Sequence, residues 1–210
     1  MPERFRVVQS TPDMAHRLAE IQRACFPDLA EGELMRAEHY LSHQKVFPEG
    51  QHAVLDEETG QVAASSSDLR MNVDFEHFEH RYMDAVDNNY LTNHNPAGEW
   101  LYGADIAVHP EYRGHGLSTL LYNARHDLIR RLGLKGHVAG AMPKGYHLHP
   151  DLSIEEYVQK VVAGELRDPV LSVQLKRGYQ VHGIIPDYLE DPSCGHYGVF
   201  IVWHNPEVSQ

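Results

Sequence analysis

Residues 105–118 read Asp-Ile-Ala-Val-His-Pro-Glu-Tyr-Arg-Gly-His-Gly-Leu-Ser. An apolar strand runs into a turn that holds Gly114 and Gly116, and the turn opens a long amphipathic helix. A helix N-terminus presents unpaired N–H groups and the positive end of the helix dipole. Glycine lets that backbone approach an anion with no Cβ in the way. Arg113 adds a positive charge that is not lost at neutral pH. Together these features predict a cradle for a pyrophosphate. The plain alternative is a tight turn that binds nothing. The string matches neither the three-glycine dinucleotide fingerprint nor the Gly-Lys-Ser/Thr phosphate loop.

The sixteen histidines raise a second chemistry. His77 and His80 can share a helix face, and His147 and His149 can share a strand face. Neither pair has third and fourth ligands at a recognisable spacing, so ordinary loop histidines are the expectation and a metal is not expected. Cys25 falls on the apolar side of a helical pattern and reads as core. Cys194, in Pro192-Ser193-Cys194-Gly195, reads as a loop residue.

The elements that must position these groups follow from periodicity. Phe5–Val8 opens as a strand. Thr11 caps and Pro12 starts a helix carrying Met14, Leu18, Ile21 and Cys25. A second helix spans about 33–43. His52–Asp56 and Gln61–Leu69 form a hairpin about Glu57-Glu58-Thr59-Gly60. A helix is expected around 78–86, then a strand over Trp100–Val108. Leu117, Leu120, Leu121, Ala124, Leu128 and Leu132 stripe the clearest helix, which Gly133 and Gly136 close. His137–Ala141 is a strand. Ser153 and Glu156 make a capping box for a helix to Val162. Pro169–Lys176 is a short helix, and Tyr179–Ile185 and Val199–Trp203 are the last strands. The alternation is α/β in one domain over 1–210, with irregular insertions near 70–99 and 141–168.

Composition narrows the class. Net charge is −12 over 210 residues, so a basic nucleic-acid footprint is absent. No apolar run reaches the ~18 residues of a membrane span. Met1-Pro2-Glu3-Arg4 lacks the apolar core of a secretory signal, and two cysteines do not make a disulfide scaffold. A cytoplasmic protein with no membrane or nucleic-acid partner is expected. Against this acidic background, 110–135 holds five Arg or Lys and two acids, and 74–99 holds six acids and one Arg.

The turn string resembles the acetyl-coenzyme A signature of the GNAT N-acetyltransferase superfamily, Arg/Gln-x-x-Gly-x-Gly/Ala after a strand ending Val-x-Pro-x-Tyr. Arg113, Gly116 and Ser118 fill the signature, with Val108, Pro110 and Tyr112 upstream. Ser118 stands where Gly or Ala is usual. Further segments are similar to the branch of that superfamily whose acetyltransferase domain is fused to a carbon–nitrogen hydrolase. They are Gly140-Ala141-Met142-Pro143-Lys144-Gly145-Tyr146, residues 153–158, 164–166, 168–172 and 174–175, and His94-x-Pro-x-Gly98 with Leu101-Tyr102-Gly103. No Glu/Lys/Cys constellation of such a hydrolase stands out here, so the acetyltransferase part alone is expected. The resemblance implies a central mixed, mostly antiparallel sheet of about seven strands flanked by helices. It also implies a splay between the signature strand and the next.

The resemblance further implies acetyl-CoA as cosubstrate. Ile106, Ala107 and Val108 would pair with its pantetheine, and Arg113, Gly114, His115, Gly116, Leu117 and Ser118 would hold its pyrophosphate. A backbone N–H near Val108 would polarise the thioester carbonyl. Direct transfer to an amine needs a base and an acid. The tyrosine usual for the acid is replaced here by Gln174. Asp105 and Tyr102, on the signature strand, are the catalytic candidates. Their plain alternatives are an ion-paired strand acid and a packing aromatic with its hydroxyl at the rim. Strand alternation puts Asp105 and Ala107 on one face, Ile106 and Val108 on the other, and Asp105 toward the signature helix or the cleft unless a bulge resets the parity. The acceptor is expected to be an amine on a small molecule or peptide, in a pocket shaped by the two insertions. The acids of 74–99 are either a solvated loop or an acidic mouth for a cationic amine. A homodimer is an expectation, since such domains commonly pair. The rival readings are an acyl-CoA-binding or regulatory module without catalysis, which Gln174 favours, and a metal-binding protein.

Overall fold

The computed structural model describes residues 4–208. Met1–Glu3, part of the N-terminal stretch read above, lie outside them. The elements in chain order are β1 (Phe5–Gln9), α1 (Ala15–Cys25), α2 (Ala37–Val46), β2 (Gln51–Asp56), β3 (Gln61–Met71), α3 (Tyr82–Ala85), β4 (Trp100–Val108), α4 (Leu117–Leu132), β5 (Gly136–Ala141), α5 (Ile154–Ala163), α6 (Leu171–Leu175), β6 (Gln180–Ile185) and β7 (Gly198–His204). The seven strands form one open sheet in the order β1-β2-β3-β4-β5-β7-β6. Among the described residues only β4 and β5 run parallel.

Side chains alternate across the sheet, so adjacent residues serve opposite faces. Tyr102, Ala107 and Phe200 join Leu18 and Ile21 of α1 and Tyr40 of α2 in one buried cluster. Leu101 and Ile201 join Leu128 of α4, Tyr157 of α5 and Leu171 of α6 in another. Leu117 and Leu121 of α4 cover Val54 and Ala64, with Ile106 and Val108 packed alongside.

Two irregularities define the centre. β4 pairs with β5 at three positions only, Trp100 with Gly136, Leu101 with His137 and Tyr102 with Val138. Beyond Tyr102 the two strands part. On the other edge of β4, Ser67 faces Asp105 while Asp68 faces Gly103, so Ala104 is the extra residue of a bulge. Polar side chains fill the space beneath. The Arg125 guanidinium donates to Asp68 at 3.0 Å and to the Ser67 carbonyl at 3.4 Å, and it also reaches the Asp105 carbonyl. His137 Nε2 donates to Asp68 at 3.3 Å, and the Tyr179 hydroxyl donates to His137 Nδ1 at 3.0 Å. The His137 ring lies across Gly103, where a Cβ would stand 2.7 Å from it.

The structure shifts several expected boundaries. Thr11 makes no side-chain cap, and a single 3-10 turn, Pro12–Met14, precedes α1. α2 begins at Ala37, where the Arg36 amide donates to His39 Nδ1 at 2.9 Å, while the Glu33 carboxylate instead accepts from the Glu190 amide at 2.8 Å. The helix expected over 78–86 shrinks to one turn, and positive φ at Asp87, Asn88 and Asn89 prevents its extension. Gly133 ends α4 in the left-handed conformation, but Gly136 opens β5. The Ser153–Glu156 capping box forms as expected.

Asp68 is fully buried and Arg125 is 2% exposed. Removing one partner of such a pair leaves an uncompensated buried charge. Arg125→Met is therefore expected to cost about 3–5 kcal/mol of folding stability. Equilibrium urea denaturation checks this, and a cost below about 1 kcal/mol contradicts the role given to Arg125.

Candidate active site

The turn at 113–118 is built by backbone geometry. His109 caps a 3-10 turn over Pro110–Tyr112, and Gly114 and Gly116 take φ of +84° and +75°. A Cβ at either glycine would meet nothing within 4 Å, so both face open space. Among the described residues, the amides of Gly114, His115, Gly116, Leu117 and Ser118 donate to no protein acceptor. Five successive free N–H groups at a helix N-terminus suit an oxyanion. Arg177, which the sequence reading missed, adds a second cation there. It donates to Thr119 Oγ1 at 2.9 Å and to Ser118 Oγ at 3.4 Å, and its buried Nε has no partner. It follows α6, so only the tertiary fold brings it to this turn.

From the turn a cleft of about 240 Å3 runs into the gap between β4 and β5. Ile106, Val108, Ser118, Tyr122, Ala139 and Gln174 are among its walls. The His109 amide donates to the Ala63 carbonyl at 3.0 Å. The two-residue alternation of antiparallel pairing then turns the polar groups of Ala107 toward β3 and leaves those of Ile106 and the Val108 amide for the gap, the Val108 carbonyl being held by the Cys25 thiol. Ala107 is thus buried behind the cleft and does not line it, which corrects the expectation that all three residues face coenzyme A.

The bulge at Ala104 sets the direction of Asp105. Ile106 and Val108 pack under α4, so Asp105 does not point to the signature helix. It points to the α1–α2 side, near Tyr40, Cys25 and Tyr82. Arg125 touches its carbonyl and not its carboxylate. Asp105 is 7% exposed and its Oδ2 has no hydrogen-bond partner. Burial pushes its pKa up to about 7, against the pull of Arg125. A carboxyl poised near neutrality suits a general base.

Asp105 also stands at a junction. A recess of about 50 Å3 opens behind it, walled by Phe26, Leu29, Tyr82, Met142, Tyr188 and Leu189 among others. Cleft and recess share Phe26, Ala104, Asp105, Gly140 and Met142. Each insertion contributes one side chain to the recess, Tyr82 from 70–99 and Met142 from 141–168. Most of 141–168 is scaffold. Fully buried Asp168 accepts from Tyr157 Oη at 2.8 Å and from the Gly145 amide at 2.9 Å. The acids of 74–99 do not reach the recess. Asp74 and Asp84 line a separate outer cavity, and Glu99 pairs with Lys135.

The remaining candidates are also located. Tyr102 is fully buried on the α1–α2 face of the sheet rather than at a rim, between His80 and Tyr188. Gln174 lies in the cleft wall with its Oε1 unpartnered, and the Tyr122 hydroxyl is its neighbour. The Cys25 thiol donates to the Val108 carbonyl at 3.1 Å, and burial pushes its pKa up to about 11. His77 Nδ1 meets Asp74 Oδ2 at 3.0 Å, and His147 Nδ1 donates to the Lys144 and Ser193 carbonyls. Among the described residues, no group of three His, Cys, Asp or Glu side chains is arranged to hold a metal ion. No helix among them is long and apolar enough to cross a membrane.

Comparison with known proteins agrees with this geometry. The family model for the GNAT acetyltransferases matches residues 15–143. The chain belongs to that family. It is 38% identical over 191 residues to the probable hydrolase YhcX of Bacillus subtilis, covering 90% of this chain and 36% of that one. It is 35% identical over 191 residues to the uncharacterised N-acetyltransferase YkwB of the same organism, covering 90% of this chain and 84% of that one. The chain thus spans about a third of the length of YhcX. Among solved structures, the GNAT-like decarboxylase GphF in complex with isobutyryl-CoA superimposes with a TM-score of 0.78 at 22% identity, over 95% of this chain and 99% of that one.

The free amides make a specific expectation. Gly116→Asn keeps a residue tolerant of positive φ but places a side chain in the open space before them. Gly133→Asn makes the same change at a left-handed residue ending α4, φ +63°. Calorimetric titration with coenzyme A is expected to show at least a ~10-fold loss of affinity for Gly116→Asn and little change for Gly133→Asn. Equal affinities in the two folded variants contradict the cradle.

Proposed function

We propose that this chain is an N-acyltransferase that uses acetyl-CoA and acetylates a primary amine, on a small molecule or a peptide, by direct transfer in a ternary complex. The observation that carries the reading is the junction at Asp105. A cleft from an anion-binding turn and a narrow recess of mixed apolar and polar walls meet there, at a buried carboxyl near neutral pKa. The turn amides, with Arg113 and Arg177, hold the pyrophosphate. The backbone of Ile106 and Val108 offers the pantetheine a strand-like partner. The acceptor amine enters the recess, and Asp105 takes its proton as the carbon–nitrogen bond forms. The carbon–sulfur bond then breaks. Tyr122, beside Gln174 in the cleft, protonates the departing thiolate, a task a glutamine side chain cannot perform. Two unpaired cysteines support a reducing compartment.

A binding module without catalysis is the second reading, and the buried Gln174 favours it. Release of coenzyme A from acetyl-CoA against a panel of amines decides between the two. Amine-dependent release supports transfer, release without amine points to another reaction on the same thioester, and binding with no release supports the module.

Asp105→Asn keeps the shape and removes the charge. Turnover is expected to fall on the order of 10²–10⁴. Stability is expected to move the other way. The unfolded carboxyl ionises near pH ~4, while the native one waits until about 7. Wild-type stability therefore falls as pH rises through that window, and the asparagine variant escapes this loss. Its melting temperature relative to wild type should be higher at pH 8 than at pH 5. A variant with near wild-type turnover, or with no such pH trend, contradicts this assignment.

A further inference from the structure

Three polar side chains that the transfer chemistry leaves unused form a continuous line away from the recess. The Tyr188 hydroxyl lies 2.9 Å from the Tyr102 hydroxyl, and the Tyr102 hydroxyl lies 2.9 Å from His80 Nε2. Tyr188 walls the recess beside Asp105. His80 walls the outer cavity, of about 270 Å3, on the far side. Tyr102 and Tyr188 are 0% and 2% exposed, whereas His80 is half-buried. The line thus begins in a narrow recess and ends at a wider outer cavity.

Its polarity can be read from one carbonyl. His80 Nδ1 lies 2.6 Å from the Phe78 carbonyl oxygen, which can only accept. Nδ1 therefore carries the proton, and Nε2 of the neutral ring is an acceptor. Burial lowers the His80 pKa and keeps the ring neutral. Tyr102 must then donate to His80, and Tyr188 must donate to Tyr102. The recess end of the line is left as an acceptor, the Tyr188 oxygen. Burial holds both phenols well above their usual pKa, so each passes a proton on without resting as a phenolate.

The seat of Tyr188 is cut for it. A Cβ at Gly140 would collide with its hydroxyl, and a Cβ at Gly198 would stand 2.6 Å from its ring. Both glycines lie on the strands that flank the recess side of the sheet, and Gly140 itself lines cleft and recess. Phe78, whose carbonyl sets the tautomer, is seated against Gly183. A ring held this closely keeps its hydroxyl in line.

We propose that Tyr188, Tyr102 and His80 form a directional relay that carries the surplus proton of a cationic amine from the recess to the outer cavity. It rests on the acyltransferase reading above. An alkylammonium enters with three N–H protons and the amide product keeps one. One of the other two is balanced by the proton that the thiolate gains as free coenzyme A. The other must leave the protein. In the relay it reaches the Tyr188 oxygen while the Tyr188 proton moves to Tyr102 and the Tyr102 proton moves to His80 Nε2. The imidazolium so formed faces Asp74, His77 and Asp84 around the outer cavity, and Tyr102 and Phe200 on the sheet side. Asp84 stabilises its charge while the ring turns out into the cavity, gives its Nε2 proton to water and turns back as the Nδ1–H tautomer.

The relay is needed only when the amine arrives charged, and this separates it from a packing role. Tyr102→Phe and Tyr188→Phe each remove one oxygen and keep the ring. With the amine that the panel assay selects, each variant is expected to lower kcat on the order of 10²-fold at pH 7, with KM within a few-fold. Near pH ~11, above the ~10.4 of an alkylammonium so that the amine is mostly neutral, the deficit should shrink to a few-fold. Wild-type kcat at pH 7, or an equal deficit at both pH values, overturns the relay. A second measurement needs no turnover. Nitrogen-15 spectra of the histidine-labelled chain at pH 7 are expected to show His80 as the Nδ1–H tautomer, with an Nε2 resonance that moves in Tyr102→Phe. An Nε2–H tautomer reverses the line and overturns the proposal. A wild-type chain that releases no coenzyme A with any amine overturns the acyltransferase reading, while the tautomer still decides the polarity of the line.

Discussion

The ion pair between Asp68 and Arg125 is the contact on which the rest of the structure depends. Strands that begin to pair in parallel ordinarily go on pairing, because unmet backbone groups in a dry interior are costly. Here β4 and β5 stop after Tyr102 and Val138. Arg125 reaches up from α4 and satisfies the carbonyls of Ser67 and Asp105 at the bulge, while Asp68 holds both Arg125 and His137 in place. The gap between the strands is therefore propped from beneath, and its unpaired backbone is available to a ligand. Burying such charges costs several kcal/mol each before their mutual attraction is counted. The geometry of the cleft is what that cost secures.

The same region gives two buried acids opposite fates. Asp68 and Asp105 both lose water on folding. Asp68 gains a direct guanidinium and an imidazole N–H, and its pKa falls below the usual carboxylate value. Asp105 has Arg125 at its carbonyl rather than at its carboxylate, and its pKa rises to about 7. One acid is thereby fixed as structure and the other is left titratable beside the recess. The bulge makes the difference, because it turns the Asp105 side chain away from α4 and toward the uncharged company of Tyr40 and Tyr82.

Much of this was legible in the sequence where the signal is local. The 3.6-residue stripe of α4, the glycines before it and the two-residue alternation of the strands each follow from neighbours a few positions apart. The turn at 113–118 and the order of strands and helices could be read for that reason. Partners far apart in the chain could not. Arg125 sits among the apolar positions of α4, and nothing nearby shows that its partner is Asp68, 57 residues earlier. Tyr102 and Tyr188 are 86 residues apart, and Arg177 reaches the turn 59 residues before it. The bulge at Ala104 leaves no mark in residue type, so the direction of Asp105 had to come from the register with β3. α3 is one turn, shorter than its sequence suggests, because Asp87–Asn89 adopt left-handed conformations.

The central claim is that the gap between β4 and β5 seats an acyl-coenzyme A thioester with its acyl end beside Asp105. A crystal structure of the chain with acetyl-CoA tests it most directly. The account predicts the pyrophosphate on the amides of 114–118, the pantetheine alongside Ile106 and Val108, and the acetyl group at the mouth of the recess. A molecule bound with its pantetheine outside the gap, or a gap zipped shut by further β4–β5 pairing in the complex, contradicts it.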